Sequence, residues 1–267
     1  MSIIRQPVLS HVQKLSSDIQ IAGDAEFVLV PLYLHYFENG NNRGFGNKAI
    51  ILRIIESISE AIESDSGYEN HFIFFLHGHG DSDGENELDS FVVIDNYPNC
   101  EEANKLLKGE IYKSIRPILA KCDCYLILNS CKSAPGPNER TLDKKNIFCK
   151  KFSEYDAFTN LTVDYKLYSL GMSSDVVYKD RFDKMSYGIK ILKGIMELGM
   201  KQDIIQVFNN FSNVLSTLNK NNGNLFYLPK LYIVSKEKGS PNKGLKPPFV
   251  TSDTYLKWNE NSLRPNV

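Results

Sequence analysis

Short, continuous apolar runs rich in β-branched and aromatic residues constrain the fold of this 267-residue chain more than any other feature. The clearest are AEFVLVPLYLHY at 25–36, HFIFFL at 71–76 and YLIL at 125–128. Such runs lack the polar alternation of a half-exposed strand and are typical of strands buried on both faces of a parallel sheet. Further strands are predicted at 91–94, 161–170 and 225–234.

Segments with apolar residues at helical spacing lie between these strands. Residues 47–63 contain six isoleucines whose spacing predicts an amphipathic helix. Other helices are predicted at 101–119, with a break near Pro117, at 187–199 and at 202–218. Because strands and helices alternate, we predict an α/β fold with a mostly parallel sheet.

One domain is expected to cover residues 1–267. Hydrophobic residues make up 42% and charged residues 24%, which excludes a chain disordered throughout. The segment 132–160 contains Pro, Gly and many charges, and we predict a long mobile loop there. Residues 133–160 of this loop are interpreted as a linker. It separates a larger part of the domain at about 25–132 from a smaller part at about 161–235. A Pro/Lys-rich tail follows at 236–267.

Composition also narrows the cellular setting. No run of 18 apolar residues exists, so membrane insertion is not expected, and the first residues lack the apolar core of a signal peptide. The formal net charge of −1 argues against a nucleic-acid partner. An odd set of cysteines without a CxxC framework argues against disulfides and structural zinc, so a cytoplasmic location is predicted. The cysteines are Cys100, Cys122, Cys124, Cys131 and Cys149.

The charges are unevenly distributed along the chain. Residues 54–104 contain 13 Asp or Glu and no Lys or Arg, while the rest has 31 basic and 19 acidic residues. Such a segment is either a solvated acidic face or a site for a cation or a basic substrate.

Two of the predicted strands are followed directly by residues whose side chains are common in catalytic sites. HFIFFL continues into His77-Gly78-His79-Gly80, and YLIL continues into Asn129-Ser130-Cys131. Ligands of open α/β sheets bind beyond the carboxyl ends of strands, so neighbouring strands would bring an imidazole and a thiol together there. A histidine activates a cysteine nucleophile and then protonates the leaving amine, and glycine N–H groups can bind an oxyanion.

Each piece has a simpler interpretation when taken alone. A cysteine at a strand end is usually a small core residue, and His-Gly is usually a turn. The two histidines of HGHG lack an evident third metal ligand, so no metal is expected. The chain also lacks GxxxxGK[ST] and GxGxxG, which argues against a nucleotide- or phosphate-binding protein.

Together, FIFFLHGHG and YLILNSCKSAP resemble the two signature motifs of the caspase and metacaspase-like cysteine peptidases. The resemblance makes His79 the catalytic histidine and Cys131 the nucleophile, with His77 as the runner-up base. Weaker similarity at 87–96, 166–180 and 183–197 extends the match over roughly 26–235.

This resemblance implies a caspase-like three-layer sandwich, with helices on both faces of the sheet. It implies a cysteine endopeptidase that cleaves protein or peptide substrates through a thioester, with the backbone N–H groups of Gly80 and Cys131 as the oxyanion hole. No organic cofactor is implied. The alternative is a catalytically weak scaffold of the same fold that acts through protein–protein interaction.

Substrate specificity is left open by departures from the family pattern. Asn129 stands where metacaspases have an Asp that helps to bind a basic P1 residue, the residue before the cut. Arg43 lies roughly where caspases have an arginine that binds aspartate, and Asp89 is a further predicted substrate contact. The sequence does not decide between a preference for acidic, basic or neutral P1 residues. It also leaves open a calcium requirement, for which the acids near Asp81 would supply the ligands. Lys132 replaces a family histidine and is expected either to lower the thiol pKa or to face solvent.

Regulation is expected from the loop after the cysteine strand or from a protein activator. Many relatives are activated by cleavage in this loop, which here contains Arg140, Asp143, Lys144 and Lys145. Self-cleavage of a zymogen is therefore a hypothesis. The other four cysteines are interpreted as incidental thiols.

Overall fold

The computed structural model describes residues 48–62, 70–94, 105–135, 146–172, 204–222 and 228–238. The predicted strand at 25–36, the predicted helix at 187–199 and Arg43 lie outside these ranges. So do residues 136–145 of the predicted loop, which contain the hypothetical self-cleavage sites, and most of the tail.

Eleven helices and strands are formed by the described residues. In chain order they are α1 (Lys48–Ala61), β1 (His71–His77), β2 (His79–Ser82), β3 (Ser90–Val93), β4 (Lys105–Leu107), α2 (Lys108–Leu119), β5 (Asp123–Asn129), β6 (Ile147–Lys151), β7 (Leu167–Gly171), α3 (Ile204–Asn222) and β8 (Lys230–Ser235).

The larger sheet contains five of the described strands, in the order β1-β5-β7-β8-β6. β1, β5 and β7 are parallel, β8 runs antiparallel to β7, and β6 is parallel to β8. The prediction of an α/β fold with a mostly parallel sheet flanked by helices is confirmed. The carboxyl ends of β1, β5 and β7 therefore meet the amino ends of β8 and β6 at one edge of the sheet.

A smaller antiparallel sheet, β2-β3-β4, follows directly from this edge. β4 corrects the prediction of a helix from residue 101, because Leu106 pairs with Val92 and is fully buried. The helix begins only at Lys108, and it passes through Pro117 to end at Leu119 instead of breaking at the proline. Residues 101–104 lie outside the described ranges.

The prediction of a loop throughout 132–160 is also wrong. Within the described residues 146–160, β6 pairs with β8 and is followed by two short 3₁₀ turns at Phe152–Glu154 and Asp156–Phe158. Phe152, Tyr155 and Phe158 are spaced three residues apart and are buried in the core. This spacing places them on one side of 3₁₀ turns, since such a turn repeats every three residues.

The main hydrophobic core lies between α1, α2 and the strands β1 and β5. Ile55 and Ile115 from the helices pack in one cluster with Phe74 and Leu126 from the strands. Burying side chains of this size contributes about 1.5–3 kcal/mol each. Lys121 links the layers further, since its Nζ donates to the carbonyl oxygens of Ser59 at 2.6 Å and Ile62 at 3.0 Å. The strands β1 and β5 are thus held in place by a packed core.

Helix α3 is amphipathic, with Ile204, Phe208, Ser212 and Ser216 buried at intervals of four residues. Intervals of four place these side chains on one face of the helix. Neither this helix nor any other in the described ranges is long and apolar enough to cross a membrane.

Candidate active site

The two predicted chemical motifs lie on neighbouring strand ends. β1 pairs with β5 in parallel, and His77, the last residue of β1, is in register with Asn129, the last residue of β5. The Asn129 side chain is buried, and its Nδ2 lies 2.7 Å from Nδ1 of His77. With the amide nitrogen donating, Nδ1 accepts and the neutral ring bears its proton on Nε2. Asn129 therefore orients the His77 imidazole, and its contact with a substrate stays a prediction.

Gly80 brings the histidine motif onto the cysteine motif. A β-carbon built on Gly80 would lie 2.6 Å from Ser130 Oγ and 2.7 Å from the Cys131 carbonyl oxygen. Both distances are far below van der Waals contact, so the β2 backbone can approach this closely only because residue 80 is glycine. The contact establishes that the segment after His79 packs directly on the segment that contains Cys131.

His79 occupies the first position of β2 and pairs with Val93 of β3. Alternate residues of a strand share a face, so His79 lies on the same face of β2 as Asp81. Asp81 Oδ1 lies 2.6 Å from Nζ of Lys132, the residue after Cys131. The face of β2 that contains His79 and Asp81 therefore reaches Lys132, whereas the opposite face, at Gly80, packs on Ser130 and Cys131.

Cys131 is a free, partly exposed thiol in the turn that follows β5. The turn is anchored by Ser133, whose hydroxyl donates to the Ser130 carbonyl at 2.8 Å and accepts from the Met172 N–H at 2.9 Å. Lys230 Nζ donates to the Pro135 carbonyl at 3.0 Å, which ties the end of the turn to β8. The thiol is therefore accessible on a turn that the sheet holds in place.

Lys132 has a partner that neither sequence-based expectation included. Its ammonium pairs with Asp81, and its backbone has φ of +50°, a left-handed conformation that is uncommon for a residue with a side chain. Partial burial acts to raise the pKa of Asp81, but the hydrogen bonds from Lys132 and from the Ser82 N–H, with the positive charges of Lys132 and Lys105, outweigh it and lower that pKa. The Asp81 carboxylate is therefore ionised at neutral pH and available to the lysine.

Several acids of the segment 54–104 are paired one by one, rather than gathered in a cation site. Asp83 accepts two hydrogen bonds from Lys105, and Glu87 is buried against Lys108. Asp89 accepts from the Asn86 N–H at 3.2 Å and closes a 3₁₀ turn, so its predicted role in substrate binding stays a prediction. In the described ranges, no group of three or more His, Cys, Asp or Glu side chains could hold a metal ion.

The other described cysteines differ in their surroundings. Cys122 and Cys124 are both buried, and burial raises the pKa of the Cys124 thiol well above its ordinary value, with further contributions from the neighbouring Cys122. Buried thiols with a raised pKa react poorly because little thiolate forms. Cys149, in β6, is partly exposed, and Cys100 lies outside the described residues.

No protein-family model matches this chain, and no curated protein matches it. The functional assignment therefore depends on the two motifs and on the contacts around Gly80. The anchors Ser133 and Lys230 were not identified from sequence. A buried lysine at a strand start has no sequence signature, since lysine side chains are rarely buried.

Gly80→Ala is expected to lower the free energy of unfolding by about 1–3 kcal/mol, as overpacking of a close contact does. Ser130→Gly is not expected to rescue it, because the Cys131 carbonyl would remain 2.7 Å from the new methyl group. The matched control is Gly109→Ala in α2, where a β-carbon meets nothing closer than 3.9 Å. Urea denaturation should show Gly109→Ala unchanged or more stable, since alanine favours helix. Equal stability of Gly80→Ala and wild type would contradict the contact.

Proposed function

We propose that this chain is a cysteine endopeptidase in which Cys131 is the nucleophile and His79 the general base. The observation that carries the proposal is the close packing of Gly80 on Ser130 and Cys131, because it joins the histidine and cysteine motifs at one edge of the sheet. Further support comes from the register of β1 with β5 and from the partly exposed thiol of Cys131.

The proposed reaction begins with transfer of the Cys131 thiol proton to the His79 imidazole. The thiolate attacks the scissile carbonyl carbon, forming a C–S bond while the carbonyl π electrons move to oxygen. When the tetrahedral intermediate collapses, the C–N bond breaks and the imidazolium gives its proton to the leaving amine. A water molecule then attacks the thioester, with His79 taking its proton. The C–S bond breaks, the acyl group leaves as a carboxylic acid, and the imidazolium returns the proton to the sulfur to regenerate the thiol.

The oxyanion formed at each stage needs donors that are already in place. In the proposal these are the backbone N–H groups of Gly80 and Cys131, which belong to the two segments that pack together. Fixed donors in a partly buried site stabilise developing charge without reorganisation, and one such donor typically contributes a factor of about 10²–10³ to the rate.

A caspase-like sandwich is the fold that we propose for the whole domain. The described sheet is compatible with it, since both motifs follow adjacent parallel strands and β8 runs antiparallel at the far side of β7. The substrates proposed are proteins or peptides, whose extended backbone would cross the edge at which β1 and β5 end.

The proposal is tested by labelling with a set of peptidyl acyloxymethyl ketones that differ at P1, with and without calcium. Wild type should be labelled at Cys131, as located by mass spectrometry of tryptic peptides, and Cys131→Ala should not be labelled. Cys149→Ala is the matched control, because Cys149 is also a free and partly exposed thiol, and it should be labelled like wild type.

Two outcomes would reject an enzymatic role. Labelling of Cys149 at the same rate as Cys131 would indicate ordinary thiol exposure rather than a built site. Absence of labelling under all conditions, in a protein that is folded by circular dichroism, would favour the catalytically weak scaffold.

A further inference from the structure

Ser130 lies at the centre of the candidate site, where the histidine and cysteine motifs meet. The residue is only 1% exposed, and its hydroxyl has no hydrogen-bond partner among the residues that the structure describes. Its Oγ would lie 2.6 Å from a β-carbon built on Gly80, so the hydroxyl is next to the β2 backbone. The backbone carbonyl of Ser130 accepts a hydrogen bond from the Ser133 hydroxyl.

A buried hydroxyl without a partner destabilises the folded chain, because it gives up its bonds to water and gains none in return. Such groups are rare in folded proteins and are explained by a bound water or by a functional role. Ser133, in the same turn, both donates and accepts a hydrogen bond, so the turn is not loosely built. Among the described residues the hydroxyls of Ser169 and Ser212 also have no partner, and Ser130 differs from them because it lies next to Gly80 in the candidate site.

We propose that Ser130 is a positioning residue whose O–H dipole turns toward the negative charge that develops on the substrate carbonyl oxygen. The hydroxyl is too buried to contact substrate, and it acts through space across the adjoining Gly80 and Cys131 backbone. The inference depends on the proposed peptidase function and adds a third group to its oxyanion site.

The absence of a partner in the resting site is what makes the effect catalytic. A hydroxyl already bonded in the free enzyme would have to break that bond before it could turn. An interaction that forms only with the transition state raises kcat without tightening substrate binding. In a buried site a single dipole has a larger effect than in water, because the surroundings screen it less.

Ser130→Ala tests the proposal with effects on stability and activity that go in opposite directions. The variant should unfold at the same urea concentration as wild type or at a higher one, because it removes an unsatisfied polar group. With the fluorogenic peptide that wild type cleaves best, kcat should fall about tenfold with KM unchanged, less than for a direct oxyanion donor.

Ser212→Ala is the matched control, since Ser212 in α3 is equally buried and its hydroxyl also has no partner among the described residues. It should keep wild-type kcat and show the same or higher stability. If Ser130→Ala cleaves as fast as wild type, or is clearly less stable, the Ser130 hydroxyl only fills space or holds a water and the inference is overturned. If folded wild type cleaves no peptide, the peptidase proposal fails and the role of Ser130 fails with it.

Discussion

His79→Ala is expected to reduce kcat/KM for peptide cleavage by about three orders of magnitude, because general acid–base catalysis contributes about 10²–10⁴ and both half-reactions use it. The proposed imidazole takes the thiol proton before attack and returns a proton to the leaving amine. Without it, the thiolate must form by exchange with solvent, and the amine must leave without a nearby proton donor. Circular dichroism and urea denaturation should remain close to wild type, since His79 occupies an end of β2 and is only partly buried.

His77→Ala provides the comparison within the same motif. His77 is held through Nδ1 by Asn129, and we expect its loss to lower kcat/KM by about tenfold, as for a residue that only supports the site. Asn129→Ala should then resemble His77→Ala, because it removes the group that orients this imidazole.

The measurement is kcat/KM over pH 5–9 for both histidine variants and for the double variant. If His77→Ala loses three orders of magnitude and His79→Ala loses little, the general base is His77. If neither variant changes the rate beyond about tenfold, a Cys–His dyad is excluded at this edge of the sheet, given the size of a general-base contribution.

The strands that form the site could be predicted, although only β5 is buried along its whole length and alternate residues of β1 are partly exposed. Continuous apolar sequence predicts β1 and β5 whichever elements surround them, and their polar ends then lie at a common edge. That Gly80 packs on Ser130 and Cys131 could not be predicted, because it depends on how the β2-β3-β4 sheet folds back against the edge.

The elements that were predicted wrongly have polar or ambiguous sequences. Lys105-Leu106-Leu107 precedes a true helix and continues its apolar pattern, but pairing with β3 makes it a strand. β6 includes Lys150 and Lys151, and charged residues are common on strands at the edge of a sheet, so its sequence resembles a loop. The three-residue spacing of Phe152, Tyr155 and Phe158 was the signal that would have revealed the buried 3₁₀ turns.

The acidic segment illustrates a second limit of prediction from sequence. Its charge excess suggested a solvated face or a cation site, and both ideas treat the acids as a group. In the structure three of them pair separately with Lys105, Lys108 and Lys132, which follow the acidic segment in the chain. The partner of each acid is set by tertiary contacts, and one of these pairs is buried in the core.

That buried pair joins the small sheet to the rest of the domain. Glu87, in the turn between β2 and β3, lies 3.3 Å from Nζ of Lys108, whose side chain is fully buried. The Glu87 carboxylate also accepts hydrogen bonds from the hydroxyls of Tyr112 and Tyr155. The lysine ammonium lies 4.6 Å from the ring centre of Tyr232 in β8. Glu87 is thus the acceptor at the centre of a network that spans the two sheets and α2.

Lys108, Tyr112 and Tyr155 are all buried, and the Glu87 carboxylate provides interactions that replace those their polar groups would make with water. Burial lowers the pKa of Lys108, although the charge of Glu87 opposes the change. Burial and the negative charge of Glu87 raise the pKa of Tyr112 and of Tyr155, so both tyrosines are neutral donors at ordinary pH. Removing Glu87 would leave a buried ammonium and two buried hydroxyls without their shared acceptor.

Glu87→Ala is therefore expected to lower the free energy of unfolding by about 3–5 kcal/mol, as breaking one side of a buried ion pair does. Glu87→Gln should lose less, because its amide oxygen still accepts from the tyrosines.

The double variant Glu87→Gln/Lys108→Met should be more stable than the sum of its single variants predicts, since no unpaired charge remains. Asp83→Ala is the surface control, because Asp83 pairs with Lys105 in an exposed position and should lose about 1 kcal/mol or less. Urea denaturation at pH 7 measures these four variants and the single variant Lys108→Met, and a loss below 1 kcal/mol for Glu87→Ala would show that the network does not hold the small sheet against the core.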